Sequence, residues 1–166
     1  VVDIGLDVLG EEIVNVSQEL LSAAAVQELI DQRFVESSAA HKGTRGHLLV
    51  AGGSAGFYGA PKLSALGGLV GGAGLATALL PADGISAEAG DYLEVMCSGS
   101  GGSTGTCLDR LSVADFTAAF EQKHAVVIGP GLGHGDESAE FLTGALKAIK
   151  ESNVPIVLDA DALNLI

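Results

Sequence analysis

The sequence predicts an α/β fold: a mostly parallel sheet with helices on both faces. Three observations predict it. Short, continuously apolar runs at Leu48–Ala51, Leu75–Leu80, Ala125–Ile128 and Ile156–Leu158 have the length and composition of strands buried on both sides. Between them lie stretches with apolar residues at helical spacing, joined by short connections. Three of the runs pass directly into turns, Gly52-Gly53-Ser54, Gly129-Pro130-Gly131-Leu132-Gly133 and Asp159-Ala160-Asp161. In a parallel sheet all three turns fall on the carboxyl edge, where such folds bind ligands.

In chain order, Ser22 opens a helix with Val26, Leu29, Ile30 and Phe34 at helical spacing, and Glu36 to Ala40 loosens into a linker. The strand Leu48–Ala51 leads through a glycine-rich turn to a helix whose buried face is marked by Leu63, Leu66 and Val70. Gly67, Gly68, Gly71 and Gly72 weaken that helix in isolation and suit close packing against a sheet or a neighbouring subunit. Leu75–Leu80 is the next strand, ended by Pro81, and Ser98 to Thr106 reads as a mobile Gly/Ser/Thr surface loop. Ser112 caps a short helix carrying Val113, Phe116 and Phe120. The strand Ala125–Ile128 follows, then a helix from about Glu137 to Lys150 with Leu142, Ala145, Leu146 and Ile149 on one face.

A chain of 166 residues, 48% hydrophobic and 17% charged, supports a globular core rather than disorder. Its formal net charge of −13 argues against binding to nucleic acid or to an anionic membrane, both of which attract basic surfaces. No apolar run reaches the roughly 18 residues of a membrane span, and no signal peptide is visible. Cys97 and Cys107 are too few for a disulfide framework and fit reduced thiols, as in a cytoplasmic protein. The opening Val1-Val2-Asp3-Ile4-Gly5 lacks a Met and reads as a strand joined in mid-protein.

The richest stretch runs from His41 to Pro61, a strand entering a glycine turn and then a helix. Unpaired amides and the helix dipole at such a place favour an anion, phosphate or pyrophosphate first. The competing reading is that the glycines only turn the chain. Standard phosphate fingerprints do not fit. Pro61 and Leu63 stand where a P-loop needs its second glycine and its Ser/Thr, and His134 stands where the last glycine of G-x-G-x-x-G belongs. Asp159 and Asp161 suit Mg²⁺ as hard oxygen ligands, while Asp161 serves equally well as a helix cap. His41, His47, His124 and His134 form no nucleophile–base pair that spacing defends, and surface or loop roles are expected of them. Lys42 is placed to orient the entry to the glycine turn. Tyr58 fits core packing or stacking on a base.

These segments, in order and spacing, resemble the ADP/ATP-dependent NAD(P)H-hydrate dehydratase domain of the ribokinase-like superfamily. The matching stretches are His41-Lys42-Gly43 with Gly46, Gly52-Gly53-Ser54, Gly59-Ala60-Pro61, Gly72-Ala73-Gly74-Leu75, Glu94-Val95-Met96, Gly129-Pro130-Gly131-Leu132-Gly133 and Leu158-Asp159-Ala160-Asp161-Ala162-Leu163-Asn164. The resemblance covers about residues 21–166, the amino-terminal part of that domain. Residues 1–20 are expected to close a preceding epimerase-like domain and link to it, as in bifunctional members. Val70 departs from the family, which usually carries Arg there, and the family's catalytic Asp and nucleotide loop fall beyond Ile166.

The resemblance implies dehydration of hydrated NADH or NADPH at the expense of ADP or ATP, with Mg²⁺. A nucleotide phosphorylates the ring hydroxyl, and elimination of phosphate restores NADH or NADPH. It implies that Ala60 and Gly133 contact the hydrated dinucleotide, with Gly131 and Ser54 as neighbouring candidates. Asp159 is expected near the site, and a homo-oligomer is expected from the glycine-rich helix. A small-molecule kinase of the same superfamily, or an incomplete nucleotide-binding domain without activity, remains an alternative on the same residues.

Overall fold

A computed structural model describes residues 22–33, 40–87 and 94–166. The expected strand near residue 1, the linker from Glu36 and the Phe34 position lie outside the described residues. Contacts divide the chain into two compact units, Val1–Ser38 and Ala39–Ile166. The first contributes one described element, helix α1 (Ala23–Arg33), entered by a hydrogen bond from the Val26 amide to the Ser22 carbonyl.

The second unit is an α/β sheet of the predicted kind. Its elements are β1 (His47–Ala51), α2 (Gly59–Val70), β2 (Leu75–Pro81), α3 (Ala82–Ala87), β3 (Met96–Ser100), α4 (Ser112–Phe120), β4 (Ala125–Ile128), α5 (Asp136–Ile149), β5 (Ile156–Leu158) and α6 (Asp161–Asn164). All five strands pair in parallel in the order β3-β2-β1-β4-β5. The register sets Ala51 against Leu79 on one side and Ile128 on the other, and Ile128 against Leu158. The ends of β1, β4 and β5 are therefore level, and the turns that follow them leave the sheet along one rim.

Alternate residues of each strand feed two cores, because successive side chains point to opposite faces. Leu49, Ala51, Leu79, Val126 and Ile128 pack with Phe116 of α4, with Phe141, Leu142, Ala145 and Ile149 of α5, and with Ala162 of α6. Phe116 meets Phe141 edge to face at a centroid distance of 5.7 Å. On the other face Val50, Ala76, Ala78 and Leu80 pack with Ala65, Leu66 and Leu69 of α2 and with Ile85 of α3. Helices thus cover both faces.

Three local expectations are corrected. Ser98 to Ser100 belongs to β3 rather than to a mobile loop: its backbone pairs with β2, and Ser100 is buried with its hydroxyl donating to Asp115 Oδ2 at 2.8 Å. Small polar residues hid this strand, because an edge strand with little side-chain volume carries almost no apolar signal. On α2, Leu63 and Val70 are 60% and 83% exposed, and the buried residues are Pro61, Lys62 and Ala65. A Cβ at Gly68 would collide with the Leu48 side chain, so it is the small-residue face that packs against the sheet. Finally, Ser112 does not cap α4 but begins it; Asp109 Oδ1 accepts the amides of Leu111 and Ser112, at 2.8 and 3.2 Å.

Candidate functional site

The rim is assembled by the turns after β1, β4 and β5, which are tied to one another by hydrogen bonds rather than merely adjacent. The Gly53 amide donates to the Pro130 carbonyl at 3.0 Å, and the Ser54 hydroxyl donates to the Gly131 carbonyl at 2.9 Å. The Gly129 amide donates to Ala51 O and the Asp159 amide to Ile128 O, each at 3.0 Å. Gly129 and Gly131 have φ of +128° and +61°. A Cβ on Gly129 would strike the Asp159 carbonyl, and one on Gly131 would lie 2.6 Å from the Phe57 carbonyl. Only glycine lets three backbones approach this closely with that handedness.

Ser54, Gly131, Gly133 and Asp159 lie on these turns, and Ala60 lies beside them at the start of α2. Ser54 bridges the first two loops. Ala60 is in the first turn of α2, and its Cβ would be 3.2 Å from a Cβ placed on Gly131, so Ala60 and Gly131 face each other across the rim. Gly133 ends the β4 loop; its amide donates to Asp161 Oδ2 at 2.8 Å, and His134 Nε2 meets the other oxygen of the same carboxylate at 2.6 Å. Asp159 begins the β5 turn with an exposed side chain. Asp161 is the first residue of α6, half-buried, and its carboxylate faces the β4 loop instead of capping its own helix.

The α2 N-terminus opens onto this rim from Tyr58, with no side-chain hydrogen bond to its first amides. The α5 N-terminus opens beside it from Gly135, again without a side-chain cap. The α2 dipole is unopposed, since no acidic residue lies in its first turn, although the Ala60 amide donates to Phe57 O and Pro61 has no amide hydrogen; at α5, Asp136 and Glu137 in the first turn offset the dipole.

Several neighbours escaped sequence reasoning. Phe57, 63% exposed, stands at the lip beside Gly131. The signal available was its place between Gly56 and Gly59, where an aromatic side chain has no strand or helix face to join. The tract after β3 supplies a further wall. Cys107 pairs with Ser54 in an isolated antiparallel bridge, the Thr106 carbonyl accepts the Tyr58 hydroxyl at 3.3 Å, and the Gly105 carbonyl accepts the Asp83 amide at 3.0 Å. Tyr58 is thereby held as part of the wall. Its hydroxyl is pushed above the ordinary phenol range by burial and then by the carboxylate of Asp83 and the thiol of Cys107.

His47 and His124 stand at the opposite, amino edge of the sheet. The His47 amide donates to His124 Nδ1 at 3.1 Å, and burial followed by the nearby Lys123 and His124 holds the His47 imidazole below its usual value. They take no part in the rim. Among the described residues no three His, Cys, Asp or Glu side chains converge in a way that would hold a metal ion. Nor is any described helix long and apolar enough to cross a membrane.

A five-stranded parallel sheet whose glycine turns share one rim defines an α/β protein with a ligand-type edge. Residues 48–166 match the family described as NAD(P)H-hydrate dehydratase, and the chain belongs to that family. It is similar to the bifunctional NAD(P)H-hydrate repair enzyme Nnr of Coxiella burnetii, with 35% identity over 76% of this chain and 23% of that protein. It is also similar to the ADP-dependent (S)-NAD(P)H-hydrate dehydratase of Neisseria meningitidis, with 37% identity over 76% of this chain and 38% of that protein. This chain thus spans between about a quarter and two fifths of these relatives' length. Among solved structures, the ADP/ATP-dependent NAD(P)H-hydrate dehydratase of Bacillus subtilis, co-crystallised with ATP and Mg²⁺, shares the fold. Its TM-score is 0.57 at 24% identity, over 77% of this chain and 42% of that one. A protein of Streptococcus mutans overlays with a TM-score of 0.70 at 24% identity, over 89% of this chain and 49% of its own.

Proposed function

We propose that the chain supplies the dinucleotide-binding part of an NAD(P)H-hydrate dehydratase, a lyase of metabolite repair that returns (6S)-NADHX and NADPHX to NADH and NADPH using ADP or ATP. The observation that carries this reading is the level rim in which Gly52–Ser54, Gly129–Gly133 and Asp159–Asp161 are cross-linked by hydrogen bonds, within a chain of that family.

In this reading Ala60, Gly131 and Gly133 leave room for the hydrated dinucleotide to lie against backbone, and Ser54 keeps the two glycine loops in register. Asp159, exposed at the start of the third turn, faces the ligand's polar groups. The N-terminal dipole of α2, with no acidic residue in its first turn, attracts its pyrophosphate. Such preorganised donors need no rearrangement as charge develops during phosphoryl transfer. The nucleotide supplies the phosphoryl group for the ring hydroxyl, which then departs as phosphate. Asp159 and Asp161 form no cage for Mg²⁺ among the described residues, with both Asp161 oxygens engaged by Gly133 and His134.

Cys97 and Cys107 are not joined in a disulfide, which supports a cytoplasmic setting. The exposed stripe of Leu63, Gly67 and Val70 on α2 supports a homo-oligomer packed through that helix. The deciding experiment mixes the full-length gene product with NADHX and either ADP or ATP. Return of the dihydronicotinamide absorbance with release of phosphate supports the dehydratase. A stable phosphorylated product without NADH would identify a kinase instead.

A further inference from the structure

We propose that His134 and Asp161 form a positioning pair that fixes the Gly133 turn and sets how tightly the dinucleotide hydrate is held; the proposal rests on the dehydratase reading above. One carboxylate is shared between two partners on the β4 loop. Asp161 Oδ2 accepts the Gly133 amide at 2.8 Å, and Oδ1 accepts the proton carried by His134 Nε2 at 2.6 Å. The link therefore clamps two consecutive residues of one turn from a position 28 residues away from Gly133.

The backbone that presents Asp161 is itself unusual. Ala160 has φ +48° and ψ −116°, a conformation that L-residues other than glycine rarely adopt. Strain of this kind persists where the surroundings over-determine it. What the strained residue delivers is the direction of Asp161, away from its own helix and across to the neighbouring loop.

The electrostatic consequence concerns an anionic guest. An unpartnered carboxylate at this rim would repel a pyrophosphate arriving at the α2 helix end. The His134 N–H offsets that charge, and with only 21% of the Asp161 side chain exposed, solvent screens the remainder weakly. His134, 62% exposed, lies on the solvent side of the pair, so it can be replaced without opening the core. The pair acts through Gly133 and through the local field, not on the reacting atoms.

The test uses the full-length gene product and steady-state kinetics with NADHX. Removing the pair is expected to weaken substrate binding and spare chemistry: His134→Ala raises KM about 3- to 10-fold with kcat changed less than about 2-fold. His134→Gln, which keeps a side-chain N–H donor, restores most of the lost affinity. Asp161→Ala raises KM at least as much as His134→Ala, and the double variant is no worse than Asp161→Ala alone, because both act through one link. Asp161→Asn, which keeps the acceptor for the Gly133 amide, falls between wild type and Asp161→Ala and guards against a folding defect. An unchanged KM in His134→Ala and Asp161→Asn, or effects that multiply in the double variant, would overturn the proposal. Absence of NADHX turnover by the wild type defeats the dehydratase reading instead. The pair is then judged by hydrogen exchange of the Gly133 amide, expected to quicken about 10-fold or more in Asp161→Ala and less in His134→Ala. Exchange that stays at the wild-type rate in both would overturn it.

Discussion

The Ser54 hydroxyl donates to the Gly131 carbonyl at 2.9 Å, joining loops whose residues stand 77 positions apart. The Gly53 amide, donating to the Pro130 carbonyl at 3.0 Å, ties the same two loops, so Ser54 adds a second, side-chain link between them. Ser54→Ala leaves the Gly131 carbonyl without its donor and is expected to cost about 1 kcal/mol of stability. In the full-length protein KM for NADHX rises several-fold, read by the recovery of NADH absorbance.

Gly131→Ala tests the close approach. The new Cβ would meet both the carbonyl and the Cβ of Phe57, at 2.6 and 2.9 Å, in a backbone with φ of +61°. A loss of about 2 kcal/mol or more is expected from strain and collision together, measured by denaturant unfolding. Turnover falls with it, because the Phe57 backbone must move away from the rim.

Phe57→Ala separates binding from stability. The side chain is largely exposed, so unfolding is expected to change by no more than about 0.5 kcal/mol. If the ring stacks on a base or on the hydrated nicotinamide, KM rises while the melting temperature holds. An unchanged KM removes Phe57 from the site.

Asp109 governs acid stability. Burial pushes its carboxyl up, but hydrogen bonds from Ser103, Ser112 and Leu111 prevail and hold it down at about 2, against an ordinary 3.8. A carboxyl depressed on folding contributes stability that is complete above about pH 4 and drains away as pH falls through about 2. That contribution is about 2 kcal/mol, and Asp109→Asn is expected to flatten this part of the stability–pH curve. Urea unfolding at a series of pH values between neutrality and acid checks it.

Val70→Asp tests the α2 stripe. Val70 is 83% exposed, so the folded chain should tolerate the charge. Sedimentation of the full-length protein is expected to shift from oligomer to monomer. An unchanged mass would dismiss α2 as the contact.

Much of the fold was legible because its signals are apolar and periodic. The runs at Leu48, Leu75, Ala125 and Ile156 are strands β1, β2, β4 and β5, and the spacing through Leu142, Ala145 and Ile149 marks the buried face of α5. The rim was legible for a topological reason, since turns that directly follow parallel strands must share an edge. Strand β3 was hidden, since Ser98, Gly99 and Ser100 pair through backbone alone. The face of α2 was misjudged because Ala65 and Gly68 bury little surface yet permit the closest approach, whereas bulky Leu63 and Val70 face outward. Asp161 was undecided between two roles. Its reach to Gly133 and His134 depends on the backbone of Ala160, which no residue type in that turn foretells.

At the far side of the sheet, β5 has β4 as its one partner among the described strands, and Ile156 and Val157 are exposed along it. Among the described strands its outer edge pairs with nothing, and that edge, flanked by the exposed Ile156 and Val157, makes an adhesive seam that an extended peptide can extend. Handled by itself at high concentration, this polypeptide should clump through that seam. A lysine at Val157 would be the economical remedy, altering solubility while leaving the ligand rim intact.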